Sequence, residues 1–268
     1  MSARTVRFAV GRADVARALR AAAPLMADLR APVTARAPWL TAVLNGTAAR
    51  RSIGTRPVAV VVEGPGRPDA AAFLTAPRRR PTGEVRLLGQ GVGPTPPGRP
   101  PFRLLARDRA AAELLADGIC RLLGGTRSLR LVGLPLGDPT ARALSVRLPD
   151  GLIANGRSTR VLDELDTVGT VARSRDPGDV DRWLPQLLER VPVRREAELL
   201  RASARLHAAI GQLEVAVVAE RGLLRAGLLT LVDGADRWPW WGWSAGGGLG
   251  SEMGAPLVAM TAPARRWP

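Results

Sequence analysis

The stretch Pro57–Pro77, PVAVVVEGPGRPDAAAFLTAP, holds the pattern on which the expected fold rests. Two apolar runs, PVAVVVEG at 57–64 and AAAFLTAP at 70–77, flank the turn residues PGRPD. Apolar runs of strand length on either side of a Gly/Pro/Asp turn predict a β-hairpin. We therefore place a hairpin in the middle of the first half of the chain.

The segments around this hairpin alternate between helical and extended patterns. Two helices with Ala and Leu at helical spacing precede it, and a third strand and a proline-rich loop follow it. A helix, a strand, a helix and a strand complete the first half, with Asp108 and Asp138 as helix N-caps. The predicted ranges are helices at Asp14–Leu29, Pro38–Arg50, Asp108–Leu123 and Asp138–Leu148, strands at 83–91, Ser128–Pro135 and Leu152–Leu162, and the loop at 91–101.

A similar order begins again after Asp166. Two helical segments precede a second hairpin, and a tight turn then leads to a tryptophan-rich strand, a glycine loop and a last short helix. This repeat predicts an α/β protein with a mixed sheet and two tandem lobes, residues 1–165 and 166–268, of which the second is incomplete. The ranges are helices at 173–191, Arg194–Gly211 and Ser251–Ala262, and hairpin strands at 211–220 and 223–234.

The element order resembles the GNAT acyltransferase fold, and two copies in tandem are similar to the Fem-type aminoacyl transferases and their acetyltransferase-like relatives. The similar stretches are the hairpin of 57–77, EVRLLGQGVG at 84–93, LRLVGLPLGD at 129–138, and residues 213–243 in the second half. The resemblance implies an acyl- or aminoacyl-transferase that acts on an amine of a small molecule or peptide. Its donor would be an acyl-CoA or an aminoacyl-tRNA.

The coenzyme A signature of the GNAT family is R/Q-x-x-G-x-G/A, between the fourth strand and a helix. Its glycines let backbone N–H groups approach the pyrophosphate, and the helix N-terminus adds positive potential. Residues Arg86–Gly91 match the string, but a proline-rich loop follows where the helix should begin. A structural turn, in a lobe that has kept its shape and lost its cofactor, is therefore the favoured interpretation, and coenzyme binding is the alternative.

The glycine loop near the C-terminus is the second candidate for donor binding. Gly246, Gly248, Gly250 and Ser251 are its predicted donor-binding residues, because the loop lies between a strand and a predicted helix. Ala245 occupies the position where the signature has Arg or Gln. A flexible glycine linker is the alternative.

Four of the seven tryptophans lie in RWPWWGW, residues 237–243. Along a strand side chains alternate, so Trp241 and Trp243 share one face and Trp240 points to the other. Core packing explains part of the cluster, since four exposed tryptophans would form an unusually large apolar patch. The functional alternative is that Trp240, Trp241 and Trp243 line a substrate pocket beside the glycine loop.

The formal net charge of +15 raises nucleic acid as a partner. Every basic residue is Arg, however, and the arginines are scattered, which codon usage in a GC-rich genome also explains. The alternative function is therefore a non-catalytic GNAT-like protein that binds RNA, such as tRNA, or a partner protein through its arginine-rich surface.

The chain has few side chains suited to general acid–base catalysis, and we assign no catalytic residue. The chain has no Tyr, its single His207 and the acidic Asp233, Asp236 and Glu252 each have a structural explanation, and no metal site is predicted. We expect a cytoplasmic protein, because no secretory signal and no membrane-length apolar run is present. The sequence does not predict the oligomeric state.

Overall fold

The computed structural model describes residues 4–49, 54–78 and 82–264. These residues form twelve strands and seven helices in two sheets. The larger sheet is mixed, because its strands Gly83–Leu87 and Arg127–Pro135 are parallel while its other described pairs are antiparallel. The predicted α/β class with a mixed sheet is confirmed.

The first of two compact units comprises residues 1–90, 102–156 and 256–268. Its strands follow the order β1-β2-β3-β4-β6-β12-β7, with β5 paired to β3. Its elements are β1 (Thr5–Val10), α1 (Arg12–Ala21), α2 (Ala23–Asp28), α3 (Ala37–Ala49), β2 (Thr55–Glu63), β3 (Pro68–Pro77), β4 (Gly83–Leu87), β5 (Leu105–Ala106), α4 (Arg109–Leu123), β6 (Arg127–Pro135), α5 (Pro139–Arg147) and the first part of β7 (Leu152–Asp163).

The hairpin β2–β3 forms the centre of the first unit, as the sequence predicts. Val58, Val60 and Val62 are fully buried, and α4 packs on this hairpin. Both predicted helix caps are present: Asp108 accepts from the backbone N–H of Ala111, and Asp138 begins α5. The caps satisfy backbone donors that the first turn of a helix leaves without a partner.

The second compact unit comprises residues 91–101 and 157–255. Its antiparallel sheet has the order β11-β10-β9-β8. Along the sequence, two helices lie between β8 and β9. Its elements are the rest of β7, β8 (Ala172–Ser174), α6 (Pro177–Leu188), α7 (Arg194–Ala209), β9 (Leu213–Glu220), β10 (Leu223–Asp233), β11 (Asp236–Ser244) and the first part of β12 (Leu249–Ala262).

The two units share one order of elements: a strand, helices, and then three antiparallel strands of which the first pairs with the initial strand. In the first unit these strands are β1 to β4, and in the second they are β8 to β11. The second unit has no counterpart of α4 and β6 after its fourth strand. The predicted lobe bounds at 1–165 and 166–268 stay a prediction. Each compact unit consists of more than one segment of the sequence.

The sequence predictions of two helices are wrong. The segment Asp14–Leu29 forms α1 and α2, which are separate because Pro24 stands at the start of the second. The segment Ser251–Ala262 is part of strand β12, whose Leu257–Ala262 pairs with β6. Gly254 and Pro256 weaken a helix there, and pairing with a buried strand decides the conformation. Arg50, the predicted end of a helix, lies outside the described residues.

His207 on α7 is fully buried, and its Nδ1 donates a 3.3 Å hydrogen bond to Oε1 of Gln212. Burial lowers the pKa of His207 from 6.5 to about 4. The unfolded chain therefore binds a proton more readily than the folded chain between these two pH values. The resulting loss of stability appears as the pH falls, and it is absent above the unfolded pKa.

We expect the contribution of His207 to lower the free energy of unfolding by about 3 kcal/mol as the pH drops from about 6.5 to about 4. Urea titrations at several pH values measure it. His207→Gln should be less stable at pH 7 but should lose this part of the pH dependence. Equal slopes for the variant and the original protein would contradict the assignment.

Candidate functional site

Strand β11 is the edge of the second sheet and carries a β-bulge. Leu229 of β10 pairs with Trp241 and the next residue, Thr230, pairs with Pro239, so that Trp240 is the extra residue. Pro239 has no backbone N–H to donate, and bulges re-aim side chains where they interrupt a ladder. The irregular part of this edge therefore lies at residues 239–241.

Two adjoining cavities lie beside this part of β11, and we call them together the β11 cleft. Their volumes are about 320 Å³ and about 240 Å³, and both are lined by Arg160, Arg237 and Pro239. The first also has Val161, Leu162, Asp163, Glu164 and Thr230, and the second has Pro97, Gly98, Arg99, Trp238, Met253, Gly254 and Ala255. All these residues belong to the second unit.

One row of the sheet forms the inner wall of the cleft. Glu214 of β9 pairs with Thr230 of β10, which pairs with Pro239 of β11. Thr230 is on the opposite face from Gly227, which lies against Leu187 of α6. The cleft thus lies on the face of the sheet that does not carry α6.

Each arginine of the cleft is held by a carboxylate. Arg237 binds both oxygens of the buried Glu214, one at 2.7 Å, and Arg160 lies 3.2 Å from Glu252. Arg99 binds Asp236 and stacks 5.1 Å from the ring centroid of Trp238. The Arg99 guanidinium lowers the pKa of the Asp236 carboxyl through this hydrogen bond. A guanidinium has five N–H donors, so each of these arginines keeps donors for a ligand.

Three polar groups of the cleft have no partner within the described part of the chain. The hydroxyl of Thr230 and Nε1 of Trp238 are buried and make no hydrogen bond there, and Glu164 forms no ion pair. Buried polar groups in folded proteins are almost always hydrogen-bonded, so an unsatisfied pair next to a cavity indicates a place for a polar ligand or water. Sequence reasoning missed Glu164 and Thr230, because neither lies in a recognisable motif.

The glycine loop differs from its predicted setting. Since Ser251 lies in β12, no helix begins after the loop, and the helix-terminus argument for anion binding does not apply. Gly248 packs against Val168, and a side chain at Gly250 would meet the carboxylate of Glu164 at 3.0 Å. Gly246 is exposed with open space around it. Donor binding by Gly246, Gly248, Gly250 and Ser251 stays a prediction.

The structure places the predicted tryptophans in different surroundings. Trp240 is 3% exposed and donates from Nε1 to the carbonyl of Pro94 at 2.8 Å. Trp241 and Trp243 pair with Leu229 and Gly227, so these two share a face. Trp243 lines a third cavity together with Ala245. A substrate-binding role for Trp240, Trp241 and Trp243 stays a prediction.

The other residues singled out in the sequence have structural roles. Asp233 and Asp236 pair across a tight turn, and Glu252 holds Arg160. Arg86 forms an ion pair with Glu84. Among the residues that the structure describes, no group of three His, Cys, Asp or Glu side chains could hold a metal ion. No helix of this part of the chain is long and apolar enough to cross a membrane.

No family model matches the chain, and no curated protein matches it. Solved structures similar to it include a tandem GNAT protein from the clavulanic acid biosynthesis pathway, at 17% identity over 87% of this chain and 76% of that one, with a TM-score of 0.37. Another is a conserved protein from Enterococcus faecalis V583 described as a probable N-acyltransferase, at 9% identity over 96% and 72%, with a TM-score of 0.32. Similarities this low determine neither the fold nor the activity of this chain. The Fem-type resemblance stays a prediction.

We expect Gly248→Ala to destabilise the protein more than Gly247→Ala. Both positions have a positive φ, 78° and 82°, which is strained for any other residue, but only at Gly248 would a Cβ overlap Val168. Gly246→Ala, with open space and no positive φ, is the neutral control. Thermal unfolding of the three variants gives the order, and equal losses at 247 and 248 would contradict the packing role.

Proposed function

We propose that the protein is an N-acyltransferase that transfers an acyl group from a thioester donor, of the acyl-CoA class, to an amine in the β11 cleft. The observation that carries this proposal is the carboxylate of Glu164, which lines the cleft and forms no ion pair among the described residues. Transfer to an amine needs a base at the nucleophile, and an unneutralised carboxylate in a concave site can serve as one.

The second unit is the better candidate for this reaction, because the corresponding place in the first unit is closed. Strand β4 ends at Leu87, while its parallel neighbour β6 continues to Pro135. Beyond that end, the side chain of Gln90 accepts from Val132 N at 3.1 Å, and Phe102 N donates to Gly133 O at 3.2 Å. The chain itself thus satisfies the β6 backbone groups that a donor would use. This supports the expectation that the Arg86–Gly91 string is a turn.

The reaction follows from these groups. The amine nitrogen attacks the thioester carbonyl carbon, the C–S bond breaks, and an amide and a thiolate form. Glu164 takes the proton that the amine loses and returns it to the leaving thiolate, so that protons and electrons balance. The Thr230 hydroxyl and Trp238 Nε1 supply hydrogen bonds for polar groups of the ligands.

The arginines would hold the anionic donor. Donor phosphates can bind to the N–H groups that Arg99 and Arg160 keep beside their carboxylate partners, since charge-assisted hydrogen bonds are stronger than neutral ones. Arg237 has a different task, because it neutralises the buried Glu214. A ligand contact through Arg99 or Arg160 therefore leaves the sheet intact, whereas a change at Arg237 does not.

Glu164→Gln tests the proposal. With acetyl-CoA and a panel of primary amines, followed by thiol release and by mass spectrometry of the acylated product, the original protein should turn over at least one amine. The variant should lower kcat by about 10² to 10⁴, the usual contribution of a general base, at an unchanged melting temperature.

Glu196→Gln is the matched control. Glu196 on α7 also lacks an ion-pair partner in the described chain and lines none of the three cavities. The kcat of the Glu196→Gln variant should therefore equal that of the original protein. Unchanged turnover in Glu164→Gln would place the base elsewhere. Absence of both acetyl-CoA binding and acyl transfer in the original protein would overturn the function.

The net charge of +15 favours a second candidate function, which is binding of RNA such as tRNA through the arginine-rich surface. An aminoacyl-tRNA donor would combine the two. Binding to tRNA measured between about 50 and 200 mM salt should then weaken steeply, since each phosphate contact releases counterions. A salt-independent interaction, or none, removes this candidate.

A further inference from the structure

A third cavity, of about 570 Å³, lies on the other face of the second sheet, and we call it the Arg–Trp pocket. Trp243 belongs to the same face as Gly227, which lies against α6, and residues after α6 complete the wall. The residues that the argument uses are Gln186, Glu189, Arg190, Arg221, Arg225 and Trp243.

The pocket presents a stacked pair of planar groups and an excess of positive charge, since its three arginines face two carboxylates, Glu189 and Glu220. The Arg190 guanidinium lies 4.3 Å from the ring centroid of Trp243, a stacked arrangement. Neither Arg190 nor Arg221 forms an ion pair with any described residue, and Arg225 only approaches Glu220 at 4.0 Å. The arginines of the β11 cleft, by contrast, are all held by carboxylates. The N–H donors of Arg190 and Arg221 are therefore available to bind an anion.

The position of Arg221 is strained and fixed at the same time. Arg221 and Gly222 have φ values of 50° and 81°, as the two central residues of a tight hairpin turn between β9 and β10. Asn or Gly is the usual first residue of such a turn. Gln186 anchors the turn to α6, since it accepts from Leu224 N at 2.9 Å and donates to Gly222 O at 3.3 Å. A residue with an unfavourable backbone conformation in an anchored turn points to a role for its side chain.

We propose that the Arg–Trp pocket binds a nucleotide. The base continues the stack that the Arg190 guanidinium forms over the face of Trp243, the phosphates bind Arg221 and Arg225, and the carboxylate of Glu189 accepts from the ribose hydroxyls. The size of the cavity lies within the range of small-molecule sites. This site is separate from the β11 cleft and does not depend on the acyl transfer proposed there.

Calorimetric titration with ADP and with pyrophosphate tests the site. ADP should bind on the order of tenfold more tightly than pyrophosphate, because only ADP offers a base to stack. Trp243→Ala should bring the ADP affinity down to that of pyrophosphate. Trp243→Phe, which keeps an aromatic ring, should recover most of the difference.

Arg221→Asn separates binding from folding. Asn tolerates a positive φ, so the melting temperature should stay equal or rise, while the affinity for both ADP and pyrophosphate falls about tenfold or more. Arg182→Ala is the matched control, because Arg182 stacks on Trp183 at 5.0 Å outside the pocket. That variant should bind ADP like the original protein.

A titration with acetyl-CoA in the presence of ADP identifies the source of the nucleotide. Simultaneous binding means that the pocket takes a free nucleotide, and competition means that the phosphates of the donor bind here and not at Arg99 and Arg160. No ADP binding, or full affinity in both Trp243→Ala and Arg221→Asn, would overturn the proposal. Neither result depends on the turnover of Glu164→Gln.

Discussion

The second unit is organised around one buried carboxylate. Glu214 on β9 is 5% exposed, and Arg237 of β11 binds both of its oxygens across the intervening strand. Arg173 and Arg175, in and after β8, approach the same carboxylate at 3.7 Å. Because a buried charge without a partner costs about 3–5 kcal/mol, this contact sets which strands lie side by side and where Arg237 can point. The apolar cluster on the same face, around Leu165, Ala216 and Leu228, stabilises the unit but does not orient particular side chains, because hydrophobic contacts are non-directional.

The repeated order of elements places comparable edges in two different situations. In the first unit, β4 pairs directly with β6 and therefore lies inside a continuous sheet, and Gln90 after β4 accepts a hydrogen bond from Val132 N. In the second unit, the chain leaves β11 through a glycine loop and enters β12 directly, and no strand among the described residues covers the edge of β11. The three cavities described above all lie in the second unit.

Local sequence patterns were sufficient where the pattern itself causes the structure. The hairpin of β2 and β3, the Asp108 and Asp138 caps and the tight turn at Arg221 follow from apolar runs, capping side chains and turn residues. The strands β1 and β8 were missed for different reasons. In β1 the apolar Val6, Phe8 and Val10 do alternate along the strand, but the segment is only six residues long and most of it is exposed, and β8 has only three residues. Strand β12 was mistaken for a helix, since its conformation comes from pairing with β6, a contact distant in sequence.

The candidate site was less accessible to such reasoning. Glu164 and Thr230 become notable only when the fold brings them to one cavity and leaves them without partners, while the neighbouring carboxylates are used by arginines. The tryptophan cluster was visible in the sequence. Its division between packing at Trp240 and a cavity at Trp243 depends on the extra residue in β11. Pro239, which has no backbone N–H to donate, already indicates an edge or a bulge at that point of the sequence.

Pro239 also bears on how this protein behaves at high concentration. An exposed sheet edge is a template on which another chain can add a strand, and long regular edges promote aggregation and domain swapping. Strand β11 lies at an edge of its sheet, but Pro239 removes one of its backbone donors and the adjoining bulge breaks the regular spacing of the others. The irregularity that shapes the cleft thus also protects the molecule against self-association through this strand, so that a ligand-sized opening is kept without inviting a neighbouring polypeptide.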